Sequence, residues 1–107
     1  MKIFELRTYT LHVGKLSSAI KIYEDLGWPA LKKYKHNIIR YYIGDVGALN
    51  QIIHVWQFKD DNSRRELSKT IYNDKNFISF ASEFRPLVLT QENKIMTAAP
   101  WTPFEII

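Results

Sequence analysis

Residues 42–58 read YIGDVGALNQIIHVWQF, two strand-like runs separated by a segment that contains two glycines. Gly44 and Gly47 give the backbone the freedom that a turn requires, so the two runs are predicted to form a β-hairpin. Asn50 stands beside the turn, where its side chain can satisfy local backbone groups. Alternate residues of a strand share one face. On the second run, one such face mixes polar, aromatic and aliphatic side chains: Ile52, His54, Trp56 and Phe58.

A strand and a helix are predicted to precede this hairpin. Residues 3–10 alternate between two sets of side chains, which is typical of a strand. From Lys15 onward, apolar residues recur at i, i+3, i+4 and i+7, which predicts an amphipathic helix. Gly27 and Pro29 interrupt that pattern. We therefore expect the helix to break there, with a further turn or two over residues 30–34.

Helical patterns dominate the chain after the hairpin. Ser63 and Glu66 have the spacing of a capping box, which predicts where the first of these helices begins. Asp74 is placed to cap a second helix. Pro86 lies within the apolar pattern of that helix, and proline both removes a backbone donor and clashes with the preceding turn. A kink or restart near Phe84 is therefore expected.

The order of these elements predicts the fold class. The middle strands are expected at residues 38–43 and 51–58, and a short last strand at residues 94–98. Strand, helix, strand, strand, helix, strand is the βαββαβ order of a ferredoxin-like α+β sandwich, with helices on one face of a four-stranded antiparallel sheet. The length of 107 residues predicts one domain spanning residues 1–107.

The two faces of the sheet are assigned by the size of the side chains. Compact and aliphatic residues are expected under the helices: Phe4, Leu6, Ile53 and Val55. Large or polar residues are expected on the open face: Ile3, Arg7, Tyr9, Ile52, His54, Trp56 and Phe58. An apolar face of that size exceeds what monomers normally leave in water. We therefore expect a second copy of the chain to cover it in a two-fold homodimer.

Composition argues against several classes of function. The chain has no cysteine, which excludes disulfides, thiolate zinc sites and thiol catalysis. His12, His36 and His54 lack the spacing of a metal site, so no metal or cofactor is expected. The net charge is +4, but the basic residues are scattered, so nucleic acid is not an expected partner. No run approaches the ~20 apolar residues of a membrane span, and the N-terminus lacks a signal-peptide core, so a cytoplasmic location is expected.

Two longer segments carry a family resemblance. FELRTYTLHVGKL at residues 4–16 and IGDVGALNQIIHVWQFKD at residues 43–60 resemble the opening strand and the central hairpin of a NIPSNAP domain. Further similar residues follow in the C-terminal third: Arg64, Pro86, Glu92 and Ile95. The resemblance covers nearly the whole chain and implies the dimeric α+β barrel superfamily, in which two sheets face one another and enclose a cavity on each side. It implies no reaction, because the biochemical role of NIPSNAP domains is poorly defined.

His54 is the main candidate for chemistry, since it is the only histidine within a predicted strand. An imidazole can act as a general acid or base near neutral pH. The alternative is a hydrogen-bonded residue of the core or of an interface. Arg7 and Tyr9 can hold a carboxylate or phenolate, and their alternative is an ion pair between subunits that involves Glu5.

The remaining candidates are aromatic. Trp56 is expected to pack rather than to bind a cofactor. Tyr41 and Tyr42 alternate, so one of them lines the cavity, and Tyr42 is our candidate. The predicted ligand-binding residues are Arg7, Tyr9, Tyr42, His54 and Trp56, of which His54 is also the catalytic candidate.

Two functions from different classes fit these residues. The first is a dimeric module that binds a small apolar or aromatic ligand in a cavity between sheets. The alternative is a cofactor-independent monooxygenase or isomerase, with His54 as acid or base and Arg7 or Tyr9 holding an oxyanion.

Overall fold

The computed structural model describes residues 2–103, so residues 1 and 104–107 of the predicted domain lie outside the described residues. The described part contains four strands, namely β1 (Ile3–Leu11), β2 (Ile38–Ile43), β3 (Gln51–Phe58) and β4 (Val88–Met96). They form one antiparallel sheet in the order β2-β3-β1-β4. The α-helices are α1 (Leu16–Ile22), α2 (Trp28–Leu31), α3 (Asp61–Tyr72) and α4 (Lys75–Phe84). The predicted ferredoxin-like α+β fold is confirmed.

The predicted hairpin is confirmed, with its turn between β2 and β3. Gly47 and Asn50 both have positive φ angles, 91° and 60°. A left-handed conformation is common for glycine and is tolerated by asparagine, so both residue types suit the turn. The carbonyl of Asn50 also accepts a hydrogen bond from the backbone N–H of Leu11 at 2.7 Å, which joins the turn to the end of β1.

Aspartates begin both C-terminal helices. Asp60 caps α3, because its carboxylate accepts a hydrogen bond from the Ser63 backbone N–H at 2.8 Å. The predicted capping box of Ser63 and Glu66 is wrong, since Ser63 is the donor of the cap and lies inside the helix. Asp74 caps α4 by accepting from the Asn76 backbone N–H at 2.9 Å, as predicted.

The interruption expected at Gly27 and Pro29 takes the form of a π-helical turn. The chain runs from α1 through π-helical residues Tyr23–Gly27 directly into α2, and a 3₁₀ turn at Lys32–Tyr34 follows. Pro29 lies in the first turn of α2. It has no N–H to donate to the preceding turn, so regular α-helical hydrogen bonding is interrupted there. A Cβ on Gly27 would lie 2.7 Å from ring atoms of both Tyr23 and Phe80, so glycine allows these rings to pack against the backbone.

The end of α4 agrees with the effect expected of Pro86. The helix stops at Phe84, and a 3₁₀ turn over Arg85–Leu87 leads into the last strand. That strand, β4, begins at Val88 and is longer than the predicted residues 94–98.

The predicted assignment of the two sheet faces is wrong. Ile52, Trp56 and Phe58 are buried in the core against helix residues such as Phe80 and Ile71. The register places Glu5, Arg7 and Tyr9 of β1 opposite Trp56, His54 and Ile52, so these residues face the helices too. The open face instead carries the complementary set of β1 and β3: Phe4, Leu6, Ile53 and Val55.

Small residues on the helices explain the reversal. The buried helical residues above the sheet include Ala19, Gly27, Ala30 and Ala81. Small residues at the contact between helices and sheet leave volume for the large side chains of the strands, so the aromatic set can pack there. Alternation shows which residues share a face, but the covering element decides which face is buried.

The structure of residues 2–103 can be compared with two expectations from sequence, those on membrane spans and on metal sites. No helix of this part of the chain is long and apolar enough to cross a membrane. The same residues contain no group of three or more histidine and carboxylate side chains arranged to hold a metal ion.

Candidate functional site

Four of the five predicted ligand residues meet between the sheet and the helices. Arg7 and Tyr9 of β1 lie beside His54 and Trp56 of β3, since Arg7 pairs directly with His54. Tyr42 does not join them: it pairs with Ile53 on the opposite face and is exposed. Its neighbour in sequence, Tyr41, pairs with His54 and takes the position expected of Tyr42.

His54 is enclosed by aromatic rings. Only 2% of its surface is exposed. The rings of Tyr9 and Tyr41 stack on it, with centroids at 5.2 and 4.7 Å and interplanar angles of 7° and 16°. Nδ1 of His54 accepts a hydrogen bond of 2.6 Å from the indole Nε1–H of Trp56. The imidazole is therefore held rigidly in one orientation.

This environment determines the protonation state of His54. Burial, reinforced by the positive charge of Arg7, lowers the pKa of His54 from 6.5 to about 3, so the imidazole is neutral at pH 7. An indole nitrogen can only donate, so Nδ1 must be the acceptor and the single proton lies on Nε2. A neutral imidazole with a protonated Nε2 is suited to hydrogen-bond donation and poorly suited to general base catalysis at that atom.

Arg7 is held by a buried carboxylate within the same chain. Its Nη2 donates to Oε1 of Glu5 at 2.9 Å, and its guanidinium lies 4.5 Å from the ring centroid of Trp56. The second oxygen of Glu5 accepts from Nδ2 of Asn93 on β4 at 2.7 Å. Burial alone would lower the pKa of Arg7, but the hydrogen bond and charge of Glu5 outweigh burial and raise it. The Glu5–Arg7 pair forms within one chain, and not between subunits as the alternative had it.

Three buried polar atoms of this cluster have no hydrogen-bond partner among residues 2–103. They are Nε of Arg7, Nε2 of His54 and the hydroxyl oxygen of Tyr41. Buried polar groups are nearly always paired, because leaving one unpaired costs about 1–3 kcal/mol. Three such atoms within one aromatic cluster indicate a place where another molecule, water or ligand, supplies the missing partners.

A cavity lies within the same cluster. Its volume is about 70 Å³, and Arg7 and His54 are both in its wall. Aromatic side chains form much of the rest: Tyr9, Tyr23, Trp56, Tyr72, Phe77, Phe80 and Phe84. This cavity lies between the sheet and the helices of one chain, and it is distinct from the cavity predicted between the sheets of two copies. Benzene needs a cavity of roughly 150 Å³, so this space admits a group of a few atoms and no complete ring.

We expect Tyr41→Phe to stabilise the ligand-free protein by about 1 kcal/mol, because it removes a buried hydroxyl that has no partner in the described residues. Tyr34→Phe is the matched control. The Tyr34 hydroxyl donates to Asp74 at 2.8 Å, so that variant should lose stability instead. Urea unfolding of both variants measures the two changes. A destabilised Tyr41→Phe would mean that the hydroxyl is already satisfied.

The prediction from sequence missed Tyr23 and Asn93, and it named Glu5 and Tyr41 only as alternatives. Strand alternation already places Glu5 beside Arg7, so that signal was present. The apolar stripe of the first helix contained Tyr23. Asn93 carried no local signal, because only the pairing of β1 with β4 brings it opposite Arg7 and next to Glu5.

The likeness to known proteins extends over nearly the whole chain. The family model described as NIPSNAP matches residues 4–103. A NIPSNAP family protein from Agrobacterium tumefaciens superposes with a TM-score of 0.91, 26% identity and coverage of 98% of this chain and 100% of that chain. A second NIPSNAP family protein from that organism, described as of unknown function, superposes with a TM-score of 0.88 and 31% identity. The match covers 95% of this chain and 92% of that chain.

A more distant likeness shows the fold alone. SnoaB, a cofactor-independent oxygenase from Streptomyces nogalater, gives a TM-score of 0.64 at 15% identity, covering 96% of this chain and 98% of that chain. No curated protein matches the chain.

Proposed function

Since the chain belongs to the NIPSNAP family, we propose that it is a dimeric domain that binds a small apolar or aromatic molecule through an oxygen-bearing group. The observation that supports this is that two residues lining the cavity each carry an unpartnered donor, Nε–H of Arg7 and Nε2–H of His54. Both can donate only, so the group that satisfies them must be an acceptor. A carbonyl, carboxylate or phenolate oxygen has that chemistry.

Charge and shape restrict the ligand further. Glu5 neutralises the charge of Arg7, and a second arginine, Arg85, also lines the cavity, so the lining has an excess of about one positive charge. The proposed group is therefore one oxygen function, with at most a single negative charge. The aromatic lining of the cavity favours an apolar or aromatic molecule over a sugar or a phosphate ester.

Binding is tested with 2-naphthoate and 2-naphthol, which share their rings and differ in the oxygen group, and with naphthalene as the compound without oxygen. We expect isothermal titration calorimetry to detect the first two only, because naphthalene cannot satisfy the donors. Arg7→Lys keeps a charge for Glu5 but loses the Nε–H, and should weaken binding about tenfold. Arg65→Lys on the exposed face of α3 is the control. Equal affinity for naphthalene, or an unchanged Arg7→Lys, would contradict the proposal.

A homodimer through the open face is part of the proposal. The middle of that face is apolar and half-buried, with Leu6 and Val55 paired on adjacent strands. Charged residues of the edge strands surround it, such as Arg40 and Lys94, which are exposed. An apolar centre with a polar rim is the usual anatomy of a subunit interface.

Sedimentation velocity tests the dimer. The protein should sediment as a dimer at micromolar concentration. Leu6→Glu should sediment as a monomer, because each subunit would bury a carboxylate in the apolar centre of the interface. Thr8→Arg on the same face is a second variant in case the first fails to fold. Ile78→Glu, at an exposed position of α4, is the control and should remain dimeric. A monomeric parent protein would refute this part of the proposal.

The same donor pair supports a second candidate function, cofactor-independent catalysis by a monooxygenase or isomerase. Donors that are already aligned lower the free energy of a transition state in which negative charge develops on oxygen. In this role His54 stabilises an oxyanion as a neutral donor, instead of removing a proton at Nε2. Oxygen uptake with dihydroxynaphthalenes, compared between the parent protein and His54→Gln, distinguishes an oxygenase from a binding module.

A further inference from the structure

A second, larger depression lies at the edge of the sheet. It is a groove of about 510 Å³ between the first helical segment and edge strand β2. Apart from Glu24, its lining is apolar or aromatic and includes Tyr23, Trp28, Tyr41 and Ile43. Its volume lies within the roughly 300–1,000 Å³ of small-molecule sites, whereas the His54 cavity is far below that range.

Two tyrosines join the groove to the cavity. Tyr23 is in the wall of both spaces. Tyr41 stacks on His54 at 4.7 Å between centroids and meets the ring of Trp28 edge-on at 6.2 Å. Trp28 belongs to the groove, so a single ring, that of Tyr41, separates the groove from His54.

The backbone around Tyr23 is adapted to this arrangement. Tyr23 begins the π-helical turn and Gly27 ends it. Single π-helical turns inside α-helices are frequent at functional sites. The absence of a side chain at Gly27 gives Tyr23 and Phe80 the space to pack there, since a Cβ would lie 2.7 Å from each ring. The turn thus places Tyr23 at the boundary between the groove and the cavity.

We infer that the groove is the subsite for the body of the ligand whose oxygen group enters the cavity, and that this body is a planar system of two or three fused rings. The inference rests on the proposed function. The cavity is too small for a ring, so the body of any aromatic ligand held by Arg7 and His54 must lie outside it. The groove is the adjoining space, and the unpartnered hydroxyl of Tyr41 stands between the two.

The passage between the subsites requires Tyr41 to move. Its ring is held by stacking and edge contacts, and no hydrogen bond within residues 2–103 ties its hydroxyl. Ring displacement therefore gives up at most a weak contact with the Tyr23 hydroxyl. Once displaced, the hydroxyl can bond to the ligand, and that hydrogen bond compensates for the stacking on His54 that the ring gives up.

Two probes with the same carboxylate separate the subsites. Acetate fills only the cavity, and 2-naphthoate fills the cavity and the groove. Both titrations are followed by NMR through the chemical shift of the Arg7 Nε–H. Trp28→Ala removes one wall of the groove. We expect it to lower the affinity for 2-naphthoate about fivefold or more and to change the affinity for acetate less than about twofold. Trp101→Ala is the matched control, since Trp101 is 82% exposed and lines neither space.

Ile43→Thr provides a second groove variant if Trp28→Ala fails to fold, with Ile78→Thr as its control. Ile43 and Ile78 have nearly the same exposure, 52% and 51%. If 2-naphthoate shifts the Arg7 resonance but neither groove variant lowers the affinity for 2-naphthoate, the groove assignment is refuted and the proposed function stands. If neither probe shifts Arg7 in the parent protein, the proposed function fails, and the groove assignment fails with it.

Discussion

Glu5→Ala is expected to lower the free energy of unfolding by about 3–5 kcal/mol, which is the usual cost of breaking a buried ion pair by removing one partner. Glu5 is 2% exposed, and the side chain of Arg7 is 15% exposed. Without the carboxylate, the guanidinium keeps its charge beneath the helices with no compensating group. Asn93 also loses its acceptor, which leaves a second polar group unpaired.

Three further variants isolate the cause. Glu5→Gln keeps the shape and one acceptor oxygen, so it should destabilise less than Glu5→Ala. The double variant Glu5→Leu/Arg7→Met removes both charges together, and should recover much of the loss because apolar residues of similar volume replace a buried pair well. Asp25→Ala removes the carboxylate of an exposed pair with Lys21 and should cost less than about 1 kcal/mol.

Chemical denaturation at pH 7 measures these differences. A loss below about 1.5 kcal/mol for Glu5→Ala would show that Arg7 turns out to solvent when its partner is removed. In that case Arg7 is not fixed in the cavity wall. It could then contribute to ligand binding only if the ligand itself orders the side chain.

The second large effect is a loss of stability in mild acid caused by His54. The pKa of His54 is lowered to about 3 in the folded protein, first by burial and then by Arg7, from 6.5. Between these two values the unfolded chain binds a proton that the folded protein does not. Stability therefore falls as pH decreases from about 6.5 toward 3, and it is fully present only above the unfolded value.

The expected loss between pH 7 and pH 4.5 is about 2.5 kcal/mol. This number depends little on the folded pKa, provided that it stays well below 4.5. Carboxylates contribute mainly at lower pH. The pKa of Asp74 is lowered to about 2 by hydrogen bonds from Lys33 and Tyr34, so its stabilisation is lost only as pH falls from about 4 toward 2.

His54→Gln tests the assignment, because glutamine can accept the hydrogen bond of Trp56 but cannot titrate in this range. Its free energy of unfolding should change much less between pH 7 and 4.5 than that of the parent protein. His12→Gln alters an exposed imidazole and is the matched control. An unchanged pH dependence in His54→Gln would show that the imidazole is accessible to protons while the protein is folded.

Local signals were sufficient to predict most elements of the fold. Strand alternation, the helical period at Lys15, the glycine turn and the effect of Pro86 each depend on residues close in sequence. One error, at the start of α3, arose where two local signals compete. Asp60 and Ser63 are both good capping residues, and only the backbone geometry shows that Asp60 caps α3.

The composition of the site was largely predictable, but its location was not. Arg7, Tyr9, His54 and Trp56 were identified as one group because strand period 2 puts each pair on one face. Their environment required knowledge of what covers that face. The choice of Tyr42 over Tyr41 as the neighbour of His54 was wrong, because the sequence of β2 does not show which of its residues pairs with His54.

The sequence by itself determined the order of elements, the fold class, the family and the residues that share a strand face, because these follow from periodicity and from short motifs. Only the tertiary structure decided that the face of His54 lies under the helices, since small residues at positions such as Ala19 and Ala81 leave room there for aromatic rings. That burial also makes His54 a neutral donor, because desolvation disfavours its charged form. Side-chain period is a local property, whereas burial depends on what packs above the strand.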